Sequence, residues 1–395
     1  MNAVGIVAEY NPLHNGHIYH IEEARKIAGS DAVVVAMSGN YVQRGEPAIL
    51  DKWERTRLAL LHGADLVVEI PTLFCLGNAA QYAKAGVTLL ESVPSVKTLA
   101  FGSESGIVDD LVCAASNLDK ASAEIESMVS GLIKDGITYP AARAEAYKTL
   151  FPDAGELPAE SNDILALEYV RNIKRLEPVA IKRRGAAYND CACDDVFMSA
   201  SGIRKATQSD MPISQYAPFE TTLSLEDSIT TYPDNWLNTL KYAVMSITAE
   251  EIDNCPSGGE GLGNRIKSSI GNARSWDELV ETVKSKRYTH TRISRLFMQI
   301  ILGINRDDYT SDIPGYMRVL GMNDKGRGIL SELRDGGECD LPILTNINKQ
   351  ADGLDEVATK QLELDIHGSD IYNLVTGRDE ITYSDYRMKP IIISL

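Results

Sequence analysis

The stretch that decides the fold is Ala3-Val4-Gly5-Ile6-Val7-Ala8, followed after a short loop by His14-Asn15-Gly16-His17. An apolar run of this length, with no alternating polar positions, is typical of a strand buried on both faces of a parallel sheet. Asn11-Pro12 is a turn signal, and the apolar spacing over 16–28 is that of an amphipathic helix. The chain therefore begins with a strand, a turn and a helix, and the two histidines lie where the helix begins.

The same alternation of strand and helix patterns continues over the first two hundred residues. The predicted strands are 31–37, 65–70, 96–101 and 178–182, and the predicted helices are 52–62, 77–91 and most of 106–175. This alternation predicts an α/β fold, a doubly wound parallel sheet of the Rossmann type with right-handed crossovers. Ligands of such sheets bind at the carboxyl ends of the strands. His14, Ser38-Gly39 and Gly102 all follow strand ends, so we expect them to share one crevice.

Composition and charge are those of a globular protein from a reducing compartment. Of the 395 residues 44% are hydrophobic and 24% are charged, and the net charge is −17. This charge opposes indiscriminate binding to nucleic acid, but a local basic patch can still act within about 8–10 Å. The six cysteines form no C-x-x-C pair, which is typical of reduced thiols. We see no signal peptide and no apolar run near the roughly 20 residues of a membrane span, so we expect a cytoplasmic protein.

The pattern of residue types along the sequence changes after about residue 207. Prolines at 212, 218 and 233 punctuate a polar stretch, and helical patterns then extend to about Arg334. The tail, 335–395, mixes helix and strand signals. We therefore predict an α/β catalytic domain over 1–206 and a mainly helical domain over 207–395.

The His14-Asn15-Gly16-His17 loop has the chemistry of a phosphate site. A helix N-terminus offers unpaired N–H groups and a partial positive charge. Gly16 removes a side chain where phosphate oxygens approach the backbone, and His14 and His17 are three residues apart and share a face. Two imidazoles there can donate hydrogen bonds to a leaving pyrophosphate, which stabilises its charge without a covalent intermediate. We assign both histidines a catalytic role. The alternative is a pair of surface histidines that cap a helix.

A second phosphate-binding pattern is Ser199-Ala200-Ser201-Gly202-Ile203-Arg204. Hydroxyl groups at a helix start, with an arginine one turn further, can hold the β and γ phosphates of a nucleotide. Ser-x-Ser at a helix start is usually only a cap. Its occurrence in the same predicted domain as the histidine loop favours a shared nucleotide site, and we assign Ser199, Ser201 and Arg204 to it.

These two motifs together resemble the nucleotidylyltransferase superfamily, and further segments resemble the tRNA(Met) cytidine acetate ligase family within it. The matching segments are Gly5 to His17, Met37-Ser38-Gly39-Asn40-Tyr41-Val42-Gln43-Arg44-Gly45-Glu46-Pro47-Ala48, Asp51-Lys52-Trp53, Phe101-Gly102-Ser103-Glu104, Ser161-Asn162-Asp163-Ile164-Leu165, Ile181-Lys182-Arg183, Lys286-Arg287-Tyr288-Thr289 and Arg318-Val319-Leu320-Gly321. The resemblance extends from residue 1 to about 330. The residue after Arg183 is Arg184, where the family pattern leads us to expect an apolar side chain.

The resemblance implies an enzyme that uses ATP to convert acetate to acetyl-adenylate and passes the acetyl group to N4 of the wobble cytidine of elongator tRNA(Met). Mg²⁺ would accompany the nucleotide. The resemblance assigns to ATP the residues Val7, Ala8, Glu9, Tyr10, Asn11, His14, Gly16, His17, His20, Gly102, Asn162 and Arg183. The chemistry agrees, since an α-phosphate under in-line attack by a carboxylate gains negative charge that histidines, a helix N-terminus and Mg²⁺ stabilise.

Other cations are candidates for the same crevice or for tRNA. We assign Lys52 a catalytic role and consider Arg44 beside it, although both positions also suit surface residues. The segment 282–306 has no acidic residue, and its aromatic and histidine side chains could stack on unpaired bases. From it we assign to tRNA the cations Lys286, Arg287, Arg292 and Arg295. A solvated helix face is the alternative, and Lys182-Arg183-Arg184 is a second, smaller basic cluster.

Two other functions remain open on the sequence. One is an adenylyltransferase for a small metabolite, against which the second half of the chain counts. The other is a non-catalytic RNA-binding protein with a nucleotide-sensing pocket, against which the intact phosphate motifs count. The sequence contains no Walker A motif, and Gly259-Glu260-Gly261-Leu262-Gly263 follows no strand. Cys191 and Cys193 do not have the spacing of a structural zinc site, so we predict no protein-bound metal centre.

Overall fold

A computed structural model describes residues 1–184, 196–259, 261–285, 288–336, 339–379 and 381–394 of the chain. Its strands are β1 (Ala3–Ala8), β2 (Ala32–Ser38), β3 (Tyr41–Val42), β4 (Glu46–Pro47), β5 (Leu66–Ile70), β6 (Val96–Ser103), β7 (Glu177–Lys182), β8 (Met317–Met322), β9 (Ile343–Leu344) and β10 (Ile391–Ile392). The five strands predicted in the first half, now β1, β2, β5, β6 and β7, agree with the structure to within two residues, whereas the short strands β3 and β4 were not predicted.

The main sheet has the strand order β10-β8-β5-β2-β1-β6-β7, with β9 paired to β8. Neighbouring strands are parallel except β8, which pairs antiparallel to β5. The chain order reverses around β1, because β2 and β5 lie on one side of it and β6 and β7 on the other. Such a reversal leaves a crevice at the carboxyl ends of the central strands. The prediction of a doubly wound α/β sheet is confirmed.

Helices cover both faces of this sheet and form most of the second half of the chain. They are α1 (Asn15–Ile27), α2 (Lys52–Leu61), α3 (Thr72–Cys75), α4 (Ala79–Glu91), α5 (Val108–Lys120), α6 (Ser122–Lys134), α7 (Tyr139–Leu150), α8 (Ser161–Asn172), α9 (Ala200–Gln208), α10 (Phe219–Asp227), α11 (Leu237–Ser246), α12 (Ala249–Asn254), α13 (Leu262–Ser269), α14 (Trp276–Val283), α15 (His290–Leu302), α16 (Asp324–Gly336), α17 (Ile347–Gln350), α18 (Glu356–Thr376) and α19 (Ser384–Arg387). Short 3₁₀ turns occur at Pro233–Trp236, Ile270–Asn272, Arg306–Asp308 and Ala351–Gly353.

Alternate residues of the central strands enter two different cores. In β2, Val33 and Val35 are fully buried in a core that also contains residues of α1, α2 and α9. Val34 and Ala36 are fully buried in the opposite core, which contains residues of α4 and α15. Because both faces are apolar, the strand reads as a continuous hydrophobic run.

The second half of the chain contributes to the same sheet. Residues 317–322 lie in a stretch that we predicted to be helical, and the structure corrects this prediction, since they form β8 with every residue buried. A short apolar run has the same local appearance in a buried strand and in a buried helix. The strands β8, β9 and β10 therefore extend the sheet beyond β5, whereas the division of the chain near residue 207 remains a prediction.

The hairpin β3–β4 is held against α15 at a glycine. Gly45 has a φ of +79°, and a Cβ atom on it would lie 2.1 Å from the backbone nitrogen of Arg295. Only glycine tolerates both the left-handed backbone and this close approach. The contact brings the loop 43–45 and the first turn of α15 to the mouth of the crevice. No helix among the described residues is long and apolar enough to cross a membrane.

Candidate active site

A cavity of about 390 Å³ opens at the carboxyl ends of β1, β6 and β7. Its wall includes the following residues that we assigned to the nucleotide from the sequence: Val7, Ala8, Glu9, Tyr10, His14, Gly16, His17, His20, Gly102, Asn162, Arg183, Ser199, Ser201 and Arg204. The fold thus brings together the two phosphate motifs, which are separated by more than 180 residues along the chain. Their placement agrees with our assignment, and their contacts with a nucleotide remain a prediction.

His14 is the N-cap of α1, and its two ring nitrogens have different environments. Nδ1 accepts a hydrogen bond of 3.0 Å from the backbone nitrogen of Gly16. The neutral ring must then carry its proton on Nε2. A Cβ atom on Gly16 would lie 2.8 Å from Cε1 of His14, so a side chain at this position would clash with the imidazole.

His14 and His17 stack on each other, with ring centroids 3.8 Å apart. Burial, and then the positive charges of Arg183 and Arg204, lower the pKa of His14 to about 3. Burial and the neighbouring His14 hold the pKa of His17 well below its ordinary value. Both rings are therefore neutral at physiological pH in the ligand-free protein, and His14 would donate a hydrogen bond from Nε2 with no positive charge of its own.

Asn11 is not among the residues that line the cavity, and its assignment to ATP stays a prediction. Its Oδ1 accepts a hydrogen bond of 2.7 Å from the backbone nitrogen of Ile49, and its carbonyl oxygen accepts one of 2.7 Å from Nη1 of Arg204. The preceding residue, Tyr10, has a left-handed φ of +46°. Asn11 therefore supports the loop that presents Tyr10 and His14 to the cavity.

The second motif begins α9 as predicted. Ser199 is the N-cap, and its Oγ accepts a hydrogen bond of 3.1 Å from the backbone nitrogen of Gly202. The guanidinium of Arg204 donates to the Asn11 carbonyl and lies 3.3 Å from Oε2 of Glu46. Arg204 thus links the start of α9 to the loop after β1 at the wall of the cavity. A phosphate bound by Arg204 would have to share its guanidinium with the Glu46 carboxylate or displace that carboxylate.

The opposite wall is held in place by two carboxylates, Glu104 and Asp163, to which the sequence analysis assigned no role. Asp163, which is buried, accepts hydrogen bonds of 3.0 and 3.1 Å from the backbone nitrogens of Glu104 and Ser105. Glu104 in turn accepts from the side-chain amide of Asn162. The Oδ1 atom of Asn162 accepts a hydrogen bond of 3.3 Å from Nη1 of Arg183. This chain of contacts fixes Asn162 and Arg183 beside the end of β6.

Lys52 does not reach the cavity, and its predicted catalytic role is corrected. Its side chain is 1% exposed, and its ammonium lies 2.8 Å from Oε1 of Glu69 and 2.7 Å from Oδ2 of Asp385. Arg318 binds the same two carboxylates. Lys52 is therefore part of a buried charge cluster that joins α2, β5, β8 and α19, and its function is structural.

Arg55, one turn further along α2, supports the cavity instead. Its buried guanidinium donates to the carbonyl oxygens of Glu9 at 2.7 Å, Ser38 at 3.0 Å and Leu50 at 3.0 Å, and also to that of Gly39. Glu9 follows β1, Ser38 ends β2 with Gly39 directly after it, and Leu50 lies in the loop before α2. Sequence analysis missed this residue because an arginine in a helix gives no local sign that it is buried.

The cations assigned to tRNA are differently placed. Lys286 and Arg287 lie outside the described residues. Arg292 donates from Nε to the carbonyl of Ser257 at 3.0 Å and lies over the ring of Tyr288. Arg295 donates from Nη1 to the carbonyl of Gln43 at 3.2 Å, and burial lowers its pKa to about 10. Because Arg295 is inserted against the hairpin β3–β4, it serves the packing of that hairpin, and a direct contact with tRNA would require the side chain to move.

The remaining cations lie at the cavity itself. Arg44, Lys182 and Arg184 line it together with Arg183 and Arg204. The guanidinium of Arg184 stacks on the ring of Tyr19, 4.5 Å from its centroid. In a chain of net charge −17 this is a local concentration of positive charge, which favours an anionic ligand.

The fold and the cavity together define an α/β nucleotidyl transferase with a His-x-Gly-His loop at the end of its first strand. The family model described as HIGH Nucleotidyl Transferase matches residues 1–386. Two curated relatives are named tRNA(Met) cytidine acetate ligase. The protein of Clostridium novyi is 36% identical over the whole of both chains, and that of Acetivibrio thermocellus is 35% identical over 94% of each. The chain belongs to the HIGH nucleotidyl transferases and, among them, to the tRNA(Met) cytidine acetate ligase family.

Two solved structures of TmcAL from Thermotoga maritima are similar to the protein over the full length of both chains, at 29% identity. The apo crystal form superposes with a TM-score of 0.92. The form that is bound to alpha-thio ATP superposes with a TM-score of 0.90. The family predicted from the sequence is confirmed, and the fold of this family extends over the whole chain.

Proposed function

We propose that this protein is an ATP-dependent tRNA(Met) cytidine acetate ligase. An oxygen of acetate attacks the α-phosphorus of ATP, the bond to the β-phosphate breaks, and pyrophosphate leaves. The N4 amine of the wobble cytidine of elongator tRNA(Met) then attacks the acetyl carbon of acetyl-adenylate. The C–O bond breaks, AMP leaves with the bonding electrons, and N4 releases a proton. The observation that carries the proposal is the single cavity that joins the His14–His17 loop to the Ser199–Arg204 motif.

The reacting phosphates lie between these two motifs. The Nε2–H group of His14 points a donor at the charge that develops on the α-phosphate and the leaving pyrophosphate. Arg204 and the N-terminus of α9 hold the β and γ phosphates opposite. His14 and His17 are neutral before ATP binds, and the arriving polyanion opposes the effect of the arginines and favours the protonated imidazoles.

Mg²⁺ is the metal that a triphosphate normally carries. The carboxylate on the described wall of the cavity is that of Glu9, whose Oε1 accepts a hydrogen bond of 2.9 Å from the backbone nitrogen of Gln43. One protein carboxylate fits an ion that keeps several waters and takes its other oxygens from phosphate. Mg²⁺ would thus arrive with ATP and neutralise part of its charge.

The tRNA approaches over the cavity mouth. Lys182 and Arg184 are exposed on one side of it, and the first turn of α15 contributes Thr291 on the other. Arg292 follows Thr291 on α15, and we keep it as a tRNA contact together with Lys286 and Arg287, which lie outside the described residues. The anticodon loop would then be held by phosphate contacts on both sides of the base that enters. Such a reaction belongs in the cytoplasm, where tRNA and ATP are available.

Acetate-dependent ATP–pyrophosphate exchange tests the proposal. Exchange should occur with acetate alone and need no RNA, because the first half-reaction uses only the cavity. An adenylyltransferase for a small metabolite would not exchange with acetate. A nucleotide-sensing RNA-binding protein would not exchange with any substrate. Acetylation of purified tRNA(Met) at the wobble cytidine, followed by mass spectrometry of its nucleosides, tests the second half-reaction.

A further inference from the structure

The tip of the hairpin β3–β4 places a glutamine in the wall of the cavity. Gln43 follows β3 directly and lines the cavity together with Arg44 and, from the first turn of α15, Thr291. Gln43 is half-buried, and its side-chain amide makes no hydrogen bond with the residues that the structure describes. A carboxamide contains one carbonyl acceptor and an NH₂ group that donates. Gln43 therefore offers both a donor and an acceptor to a ligand of the cavity.

The backbone of Gln43 is fixed on both sides. Its N–H group donates to Oε1 of Glu9 at 2.9 Å, and its carbonyl oxygen accepts from Nη1 of Arg295 at 3.2 Å. The turn itself is closed by a hydrogen bond of 2.9 Å from the backbone nitrogen of Gly45 to the carbonyl of Val42. A side chain on a backbone held in this way loses little freedom when a ligand binds, which suits a residue that orients a substrate.

Gln43 lies on the other side of β1 from several of the residues assigned to ATP. Gly102, Asn162 and Arg183 come from the end of β6, from α8 and from the position after β7. In the sheet, β6 and β7 lie on one side of β1, whereas β2, which leads into the hairpin, lies on the other. Gln43 is therefore at the part of the cavity that these ATP contacts leave for the second substrate, next to the mouth at Thr291.

The second substrate presents a pattern that a carboxamide matches. On the Watson–Crick edge of cytosine the N4 amine donates, and the ring nitrogen N3 beside it accepts. The carbonyl oxygen of a glutamine can accept from one N4–H group while its amide donates to N3. Acetate and phosphate oxygens only accept at neutral pH and would use only the donor half of the amide. Adenine repeats the cytosine pattern at N6 and N1, so the position of Gln43 on the β2 side decides for cytosine.

We propose that Gln43 is a specificity-determining residue that binds the Watson–Crick edge of the wobble cytosine. Its carbonyl oxygen accepts from one N4–H group, and its amide donates to N3. The inference rests on the proposed function, which supplies the cytidine. Because the N4 hydrogen on the N3 side is held, the acetyl group replaces the hydrogen on the C5 side. The product thus keeps the N–H group through which cytosine pairs with guanine.

The test combines a change in the protein with a change in the base. Gln43→Met keeps the length of the side chain and removes both hydrogen-bonding groups. The second substrate is tRNA(Met) with 3-deazacytidine at the wobble position, in which a C–H group replaces N3 and the N4 amine remains. Values of kcat/KM for acetylation are measured for both proteins on both tRNAs. Any intrinsic change in the reactivity of the amine is common to the two proteins and cancels in the comparison.

Two hydrogen bonds are lost with ordinary tRNA(Met) and one with the modified tRNA. Gln43→Met should therefore lower kcat/KM about 5- to 150-fold on cytidine, and this loss should be about 2- to 12-fold smaller on 3-deazacytidine. Acetate-dependent ATP–pyrophosphate exchange without RNA should be equal in the two proteins. Gln215→Met, at an exposed glutamine that does not line the cavity, is the matched control and should behave like wild type. Thermal melting confirms that each variant is folded.

The other outcomes overturn the inference in different ways. Unchanged acetylation by Gln43→Met, or an equal loss on both tRNAs, would show that the amide does not contact N3. A loss of exchange as large as the loss of acetylation would assign Gln43 to ATP, while the proposed function stood. If wild type catalysed neither exchange nor acetylation, the proposed function would fail, and the inference with it.

Discussion

Substitution of His14 can separate the two functions that the structure gives to its ring. Nδ1 caps α1 by accepting from the backbone nitrogen of Gly16, so Nε2 carries the proton of this cavity residue, and we propose that it donates to the nucleotide. In His14→Asn an amide oxygen takes the place of Nδ1, and asparagine is among the best N-cap residues. His14→Ala removes both the cap and the donor.

The two contributions have different sizes and appear in different measurements. A preorganised donor to a developing charge is worth about 2.7–4 kcal/mol of activation free energy, or roughly 10²–10³ in rate. Both variants should lose acetate-dependent ATP–pyrophosphate exchange by this factor. An N-cap contributes about 1 kcal/mol to folding, so only His14→Ala should have a lower free energy of unfolding.

Initial exchange rates at saturating ATP and urea melts on the same preparations provide the assay. We expect His14→Asn to be as stable as wild type and nearly inactive, and His14→Ala to be both less stable and nearly inactive. Exchange by His14→Asn at close to the wild-type rate would refute the reasoning, because the imidazole would then be a helix cap and no phosphate donor.

Three other substitutions test separate parts of the site. Arg204→Ala should lower kcat/KM for ATP about 10- to 150-fold through the loss of charged hydrogen bonds, while exchange still depends on acetate; unchanged ATP kinetics would make Ser199–Arg204 a cap alone. Lys52→Met should lower the free energy of unfolding by about 3–5 kcal/mol in urea melts, because Glu69 and Asp385 lose a buried cation, yet exchange per folded molecule should be unchanged. Arg292→Gln should weaken tRNA binding and flatten its log–log salt dependence by about 0.7–0.9 in filter-binding assays, with exchange preserved; an identical salt slope would move the tRNA surface to Lys182 and Arg184.

The pH dependence of stability gives a further test of the cavity. The pKa of His20 in the folded protein, about 4, lies below its ordinary value of 6.5, so the unfolded chain binds the proton first as the pH falls. The stability contributed by this site is therefore full above pH 6.5 and is lost towards pH 4. Between pH 7 and pH 5 the free energy of unfolding of wild type should fall by about 2 kcal/mol relative to that of His20→Gln, without nucleotide. A pH-independent difference in urea melts would contradict the burial of the neutral ring.

The part of the site that sequence predicts is the part that topology fixes. His14 follows β1 and Gly102 lies at the end of β6, and the carboxyl ends of strands in one parallel sheet meet whichever way the side chains point. The start of α9 could be placed in the same cavity because a helix that returns over the sheet begins at that edge. A local sequence pattern and a general rule of chain connection were sufficient to place these two motifs at one cavity.

The position of the Lys52 side chain could not be predicted in this way. Lys52 begins a helix after a strand end, as a phosphate-binding lysine would, and the sequence around it does not say which way its side chain turns. That direction is set by Glu69 and by Asp385, the second of which is 333 residues away. The strand β8, Met317–Met322, was missed for the same reason, since its partner β5 precedes it by about 250 residues of intervening chain. Contacts of this range leave no periodic signal in either segment.

Burial and the neighbouring arginines together keep the cavity histidines neutral. Arg183 and Arg204 are placed beside imidazoles that are already desolvated, and together these effects keep His14 unprotonated in the absence of ligand. A polyanion relieves the repulsion between the arginines and protonated histidines, because it pairs with the arginines and at the same time accepts hydrogen bonds from the histidines. An acetate ion alone offers one negative charge and cannot span both motifs, whereas a triphosphate can. The site is therefore expected to bind ATP first. Acetate then binds beside the α-phosphate, which it attacks as the nucleophile.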